Sequence, residues 1–262
     1  MSINEKTFFK ILSNQIRKSK RVIQSIQYTK FLLDVFRKKE RFFANDVILK
    51  RKMIGTEYGS FCICPEKISP GSIVYSFGVG QDISFDLALI KKYGCIIFAF
   101  DPTPKSIDWI KQQTLPENFN FYPLAIANYD GKAQFFPPKN PNFVSHTLIR
   151  RSETSYRSII VDVRRLSTIM KLLGHQSIDL LKMDIEGAEY FVIPDIEKSN
   201  IEIRQICLEF HHNSGRCTLF HHNSGRYTIQ NTIESLKCLN KMGFKLFYQD
   251  RTGANTFSLL RL

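Results

Sequence analysis

Three things are scarce in this sequence, and each absence narrows what the chain can be. No C-x-x-C pair occurs among the six cysteines, and Cys62-Ile63-Cys64 is too tightly spaced for a zinc knuckle. Reduced thiols and a cytoplasmic compartment are therefore expected. No run approaches the roughly 18 uninterrupted apolar residues of a membrane span, and no apolar core with a small-residue cleavage site follows the start. Neither a transmembrane anchor nor a secretory signal is supported. Acidic residues are sparse in the first 52 positions, where nine Lys and five Arg face two Glu (Glu5, Glu40) and two Asp (Asp34, Asp46), a net +10. The remaining 210 residues share only +3 of the chain's +13, an ordinary balance for a soluble domain.

What is present is apolar surface. Hydrophobic residues make up 43% of the 262 positions and aromatics 13%, with 22 Phe, so disorder, collagen and a disulfide miniprotein are excluded. The length suits one large domain, or a domain with an appendage. In the basic segment Phe8, Ile11, Leu12, Ile16, Ile23, Ile26, Phe31, Val35 and Phe36 recur near three- and four-residue spacing, which predicts one or two amphipathic basic helices. A helical cap on the main domain, a contact with an anionic surface and a substrate-recruiting arm are all consistent with that pattern.

From Ser72 onward short apolar runs alternate with helical stretches. IVYSF (73–77), CIIFAF (95–100), FNFYPLAI (119–126), IDLLKM (178–183) and RQICLEF (204–210) read as strands; 83–93, 104–113, 166–173 and 231–242 read as helices. Continuous apolar strands between helices imply a parallel sheet covered on both faces. The last twenty residues predict two strands around a Gly-containing turn, a terminal antiparallel hairpin. The expected organisation is a basic helical extension over 1–69 and a Rossmann-like α/β domain over 70–262. One block, Phe210 to Arg216, recurs letter for letter as Phe220 to Arg226, so at most one copy can follow the 204–210 strand directly.

Four constellations carry chemistry. Ser76-Phe77-Gly78-Val79-Gly80-Gln81-Asp82 ends the first core strand, where glycines let a strand-to-helix turn approach a ligand and aim N–H groups at it. Asp101 ends the next strand, 21 residues after Gly80, the spacing at which a carboxylate accepts from ribose hydroxyls. Ile83 stands where a dinucleotide fold has its third glycine, which counts against NAD. Asp184, Glu186 and Glu189 follow the fourth strand, with Asp184 and Glu186 expected to face the cleft, and with Glu186 and Glu189 also suited to complement the dipole of the following helix. Glu209, His211 and His212 follow the fifth. His211 is suited to general-base work, or with Asp184 and Glu209 to a divalent metal. The proline-rich loop 137–147 offers Ser145, His146 and Thr147 to a binding site.

SFGVGQDISFD, FAFDPTP, YPLAIANYDGKAQF and IDLLKMDIEGAEY, in that order, resemble the FkbM family of S-adenosylmethionine-dependent methyltransferases, over roughly residues 70–260. The resemblance implies a class I methyltransferase fold and O-methylation of a hydroxyl on a sugar, glycan or small metabolite. It implies that Gly78 and Gly80 line the cofactor, that Asp101 holds its ribose and that Asp184 and Glu186 border the transfer site. Beside these, the residues themselves offer Ser76, Asp82 and Ala127 as further cofactor contacts, His211 as base with Glu209 or Asp184 to orient it, and Ser145, His146 and His212 as contacts for the acceptor. Where such enzymes often carry an acid at the end of the first strand this chain has Ser76, with Asp82 available from the loop. A small-molecule or carbohydrate acceptor is expected, and nucleic acid is not. A NAD-dependent oxidoreductase and a non-catalytic binding protein are the competing classes.

Overall fold

The computed structural model describes residues 22–56, 58–140, 143–151, 154–155, 157–212, 226–251 and 255–262. Most of the duplicated block therefore lies outside the described residues, which hold Phe210, His211 and His212 of its first copy and Arg226 of its second. Cys217 lies outside them too, and the five described cysteines are free thiols.

In chain order come helix α1 (22–36), an antiparallel hairpin of β1 (Lys52–Ile54) and β2 (Phe61–Ile63), then β3 (Ile73–Phe77), α2 (Ser84–Tyr93), β4 (Ile96–Phe100), α3 (Pro104–Ile110) and β5 (Phe119–Tyr122). They are followed by β6 (Ala125–Ile126), β7 (Gly131–Phe135), β8 (Ile159–Arg164), α4 (Leu166–Leu173), β9 (Ser177–Met183), α5 (Glu189–Ser199), β10 (Glu202–Glu209), α6 (Ile229–Lys241), β11 (Phe244–Gln249) and β12 (Thr256–Arg261). The main sheet has the order β11-β12-β10-β9-β3-β4-β5. Its β5, β4, β3, β9 and β10 are mutually parallel, and β12 runs antiparallel to both neighbours. The terminal hairpin thus turns a single strand against an otherwise parallel sheet, as a class I methyltransferase fold requires.

Strand periodicity explains the layers. Successive side chains alternate faces, so Tyr75 and Phe77 of β3, Phe98 and Phe100 of β4, and Ile206 and Leu208 of β10 go to one side, under α4, α5 and α6. Val74, Ile97, Ala99 and Cys207 go to the other, under α2, α3 and the β1–β2 hairpin. Each fully buried large apolar side chain contributes about 1.5–3 kcal/mol. Both faces being buried is why these strands read as unbroken apolar runs.

Two regions depart from the expected pattern. FNFYPLAI is not one strand: Pro123 ends β5, and β6 joins a separate three-stranded sheet of order β6-β8-β7. Residues 52–69, placed in the extension by sequence, supply Ile54, Phe61, Ile63 and Ile68 to the same core as the main sheet. Upstream, residues 40–49 run along the edge strand β11: Asp46 N–H donates to Leu246 O, and Leu246 N–H donates to Asp46 Oδ2.

Candidate active site

A cavity of about 760 Å³ opens beyond the carboxyl ends of β3, β4 and β9. Parallel strands whose loops diverge leave a crevice at this place, and its size suits a nucleotide-sized ligand. Its floor is the β3–α2 turn. Gly78 (φ 75°) and Gly80 (φ 56°) are both left-handed, and a Cβ at Gly78 would meet the carbonyl of Asp184. The Lys182 ammonium, buried under the Phe61 ring, donates to the carbonyls of Phe77 and Gly78 and so ties this turn to β9.

Asp101 is held in place by its own loop: Gly80 N–H donates to Oδ2 and Thr103 N–H to Oδ1, each at 2.8 Å. Each oxygen keeps a further lone pair for a ligand hydroxyl. Asp82 accepts from Thr56 Oγ1 and from Ser84 N–H. Burial opposes its ionisation, but those hydrogen bonds outweigh burial and hold the carboxyl below its usual range. Asp86, on α2, has an Oδ1 with no hydrogen-bond partner, and burial pushes its pKa up to about 6 against the opposing pull of Lys182. Phe77, Phe100, Ile126 and Leu148 provide apolar wall.

Asp184, Ile185 and Glu186 close the cavity beside the glycine turn. Glu186 adopts φ 56°, costly for a residue with a Cβ. Two groups from the β7–β8 connection hold it there: Thr147 Oγ1 donates to the Glu186 carbonyl at 2.8 Å, and the Arg151 guanidinium donates to the same carbonyl and to Oε2. Behind this turn lies His211. Its Nδ1 meets Glu189 Oε1 at 3.1 Å, while Nε2 stands 3.6 Å from Asp184, 3.7 Å from Glu186 and 3.9 Å from Glu209. Burial alone would drive the ring neutral, but the Glu189, Glu186 and Glu209 carboxylates outweigh it and raise the pKa to about 10. His211 therefore carries its proton at neutral pH. The Asp184 pKa also rises, which in a carboxyl group favours the neutral form: burial and the Glu209 charge lift it to about 7, with Lys182 and His211 pulling it down.

Gly78, Gly80, Asp82, Asp101, Ser145, His146, Asp184 and Glu186 all line the one cavity, with His146 held below its usual pKa by burial. Glu209 and His211 sit behind it, in contact with Asp184. Three expected contacts are placed elsewhere. Ser76 is fully buried within β3, on the face that α2 covers. Ala127 is also buried, its N–H donating to Arg164 O beyond the end of β6, so Leu124, Ala125 and Ile126 supply that wall instead. His212 turns away from the cavity, its Nε2 against Glu40 Oε1 at 3.1 Å and its Nδ1 against Thr232 Oγ1 at 2.9 Å. Sequence reading missed Asp86, Arg151 and Lys182; the one signal for Lys182 is a charge inside an otherwise apolar strand. Glu189, read as a dipole partner, is fully buried and bonds both Ile185 N–H and His211.

The site fits S-adenosylmethionine. Its glycine turn, the Asp101 carboxylate, the orphaned Asp86 oxygen and the apolar walls suit a nucleoside joined to a cationic amino acid. Asp184, Glu209 and His211 offer ligand atoms within 4.8 Å of one another and could also hold a metal ion.

The chain is 26% identical over 140 residues to the human protein described as "Probable methyltransferase-like protein 24", and equally so to its rat counterpart. The match takes in 53% of this chain and 32% of each relative, so it spans about a third of their length. Among solved structures it resembles fibrillarin of Methanococcus jannaschii (10% identity, TM-score 0.43, covering 84% of this chain and 86% of that one). Fibrillarin of Aeropyrum pernix, solved with bound S-adenosyl-L-methionine, gives 11% identity and a TM-score of 0.41, covering 74% and 68%. Residues 72–246, spanning β3 to the middle of β11 and so nearly every wall of the cavity, match the Methyltransferase FkbM domain, and the chain belongs to that family.

Proposed function

We propose that the protein is an S-adenosylmethionine-dependent methyltransferase acting on a hydroxyl of a sugar, glycan or other small metabolite. The observation that carries this reading is the convergence of the glycine turn, the Asp101 carboxylate and Asp184, whose pKa burial and the Glu209 charge raise, in one cavity. A general base works best when its pKa lies near the working pH. Asp184 takes that role rather than His211, whose ring already holds a proton.

When bound, the cofactor supplies a methyl carbon on a sulfonium sulfur, which leaves as a neutral thioether. Asp101 anchors the ribose hydroxyls, and Asp86 with Asp82 offers carboxylates to the amino group. Asp184 accepts the acceptor's hydroxyl proton as the new carbon–oxygen bond forms. Glu189 fixes the His211 ring, and the imidazolium steadies the carboxylates around it. Ser145 and His146 border the acceptor side. Five carboxylates on the cavity wall against Lys182 oppose a polyanionic acceptor, so nucleic acid is disfavoured. Ile83, packed in the core where a third glycine would be needed, disfavours NAD.

A divalent cation on Asp184, Glu209 and His211 is the second reading, favoured by the convergence of their ligand atoms. Turnover, read as release of S-adenosylhomocysteine over a panel of hydroxylated acceptors, separates the two. Activity that survives a chelator, but falls about 10²-fold in Asp184→Asn, supports the carboxylate base. Activity abolished by the chelator and restored by metal supports the cation, and no turnover with any acceptor returns the non-catalytic reading.

A further inference from the structure

We propose that the N-terminal strap is a docking face for an anionic lipid bilayer. Helix α1 seats itself on the protein through Phe31 and Asp34, both buried. Val22, Ile26, Leu33 and Phe36 form a second stripe at helical spacing, and all four are exposed. The helix ends where Lys38 turns left-handed (φ 57°), which leaves Phe36 at its tip.

Among the described residues the two most exposed large apolar side chains are Ile48, at 96%, and Phe36, at 87%. Each is followed by a basic triplet. Arg37, Lys38 and Lys39 come directly after Phe36; Lys50, Arg51 and Lys52 come after Ile48 and Leu49. All six basic residues are exposed. Of the nearby acids Asp34 and Glu40 are buried, while exposed Asp46 and Glu66, the latter 4.0 Å from Lys50, offset only part of this charge and leave the two triplets with an excess of positive charge.

The strap between the two tips is built onto the fold. Gln249 of β11 accepts from Phe43 N–H and donates to Arg41 O, and Asp46 N–H reaches Leu246 O. Ile48 thus follows directly on backbone that is paired with the main sheet, and Phe36 ends the helix that leads into it.

An apolar stripe inside a basic field is the pattern of interfacial helices, where the apolar residues enter the headgroup region and the cations meet anionic lipid. The charge chooses among occupants. A second copy of this chain would bring like charge against like, and a nucleic acid would use the triplets but leave Phe36 and Ile48 in water. No described helix is long and apolar enough to cross a membrane.

Sedimentation of the full chain with phosphatidylcholine vesicles, with and without one-third phosphatidylserine, tests this. Binding is expected to the phosphatidylserine vesicles alone, weakening about tenfold when salt is raised from low to physiological strength. Phe36→Ser with Ile48→Ser, and separately Arg37→Gln with Lys38→Gln and Lys39→Gln, should each weaken binding about tenfold or more. Both sets lie on the surface, so thermal unfolding of the variants should match wild type and show that lost binding is not lost folding. Equal binding to both vesicle types, binding to neither, variants that bind as wild type, or self-association by light scattering that the apolar substitutions abolish would each overturn the proposal.

Discussion

A Cβ placed on Gly78 would stand 1.7 Å from the backbone oxygen of Asp184, so the cofactor turn and the proposed base are packed against each other with no room for a methyl group. The same glycine sits at φ 75°, where L-residues are strained. Gly78→Ala should lower the unfolding free energy by about 1–3 kcal/mol and weaken S-adenosylmethionine binding more than tenfold in calorimetric titration. A variant with unchanged stability and affinity would show that the turn is not held as described.

Asp184 and His211 make stability fall as pH rises. The folded His211 pKa of about 10 lies above the ordinary 6.5, so its contribution is complete below about pH 6.5 and lost on approach to pH 10. Asp184, raised from 3.8 to about 7, adds a loss of the same sign at lower pH, because the folded state holds the proton longer. Urea midpoints should therefore decline between about pH 6 and pH 9, and His211→Asn should flatten the upper half of that decline. A wild-type midpoint that rises across this range would contradict the charge states assigned to the cluster.

Turnover should move the other way. If Asp184 must be ionised to accept the hydroxyl proton, kcat rises with pH through about 7. Asp184→Asn should abolish that dependence along with most of the rate. A profile in which wild type and variant titrate alike would assign the step to another group.

Glu40 ties the N-terminal strap to the fold through His212, with both side chains buried. Glu40→Ala leaves a buried imidazole N–H without its acceptor and should cost about 1–3 kcal/mol in denaturant unfolding. Cofactor affinity should stay near wild type, because neither residue reaches the cavity. Loss of affinity without loss of stability would place this pair in the site.

The central layer was legible in the sequence because its strands are buried on both faces: IVYSF and IDLLKM match β3 and β9 almost residue for residue. Glu209 and His211 share a side by period-two alternation, and the cluster around His211 Nε2 has that arrangement. Other features were set by tertiary contact. GKAQF and IIVDVR are polar on alternate positions and far apart in sequence, so their pairing as β7 and β8 leaves no local signature. Nothing in a His-His doublet says that one ring faces Asp184 while the other faces Glu40, a partner 172 residues away. Arg151 is likewise recruited across the fold, to a turn at Glu186 that local sequence does not show to be strained.

Calorimetric titration of the full chain with S-adenosylmethionine, and in parallel with NADH, tests the central claim most directly. The account predicts one-to-one binding of S-adenosylmethionine, weakened at least tenfold by Asp101→Ala, and no binding of NADH. NADH binding, or S-adenosylmethionine affinity that is absent or indifferent to Asp101, would contradict it.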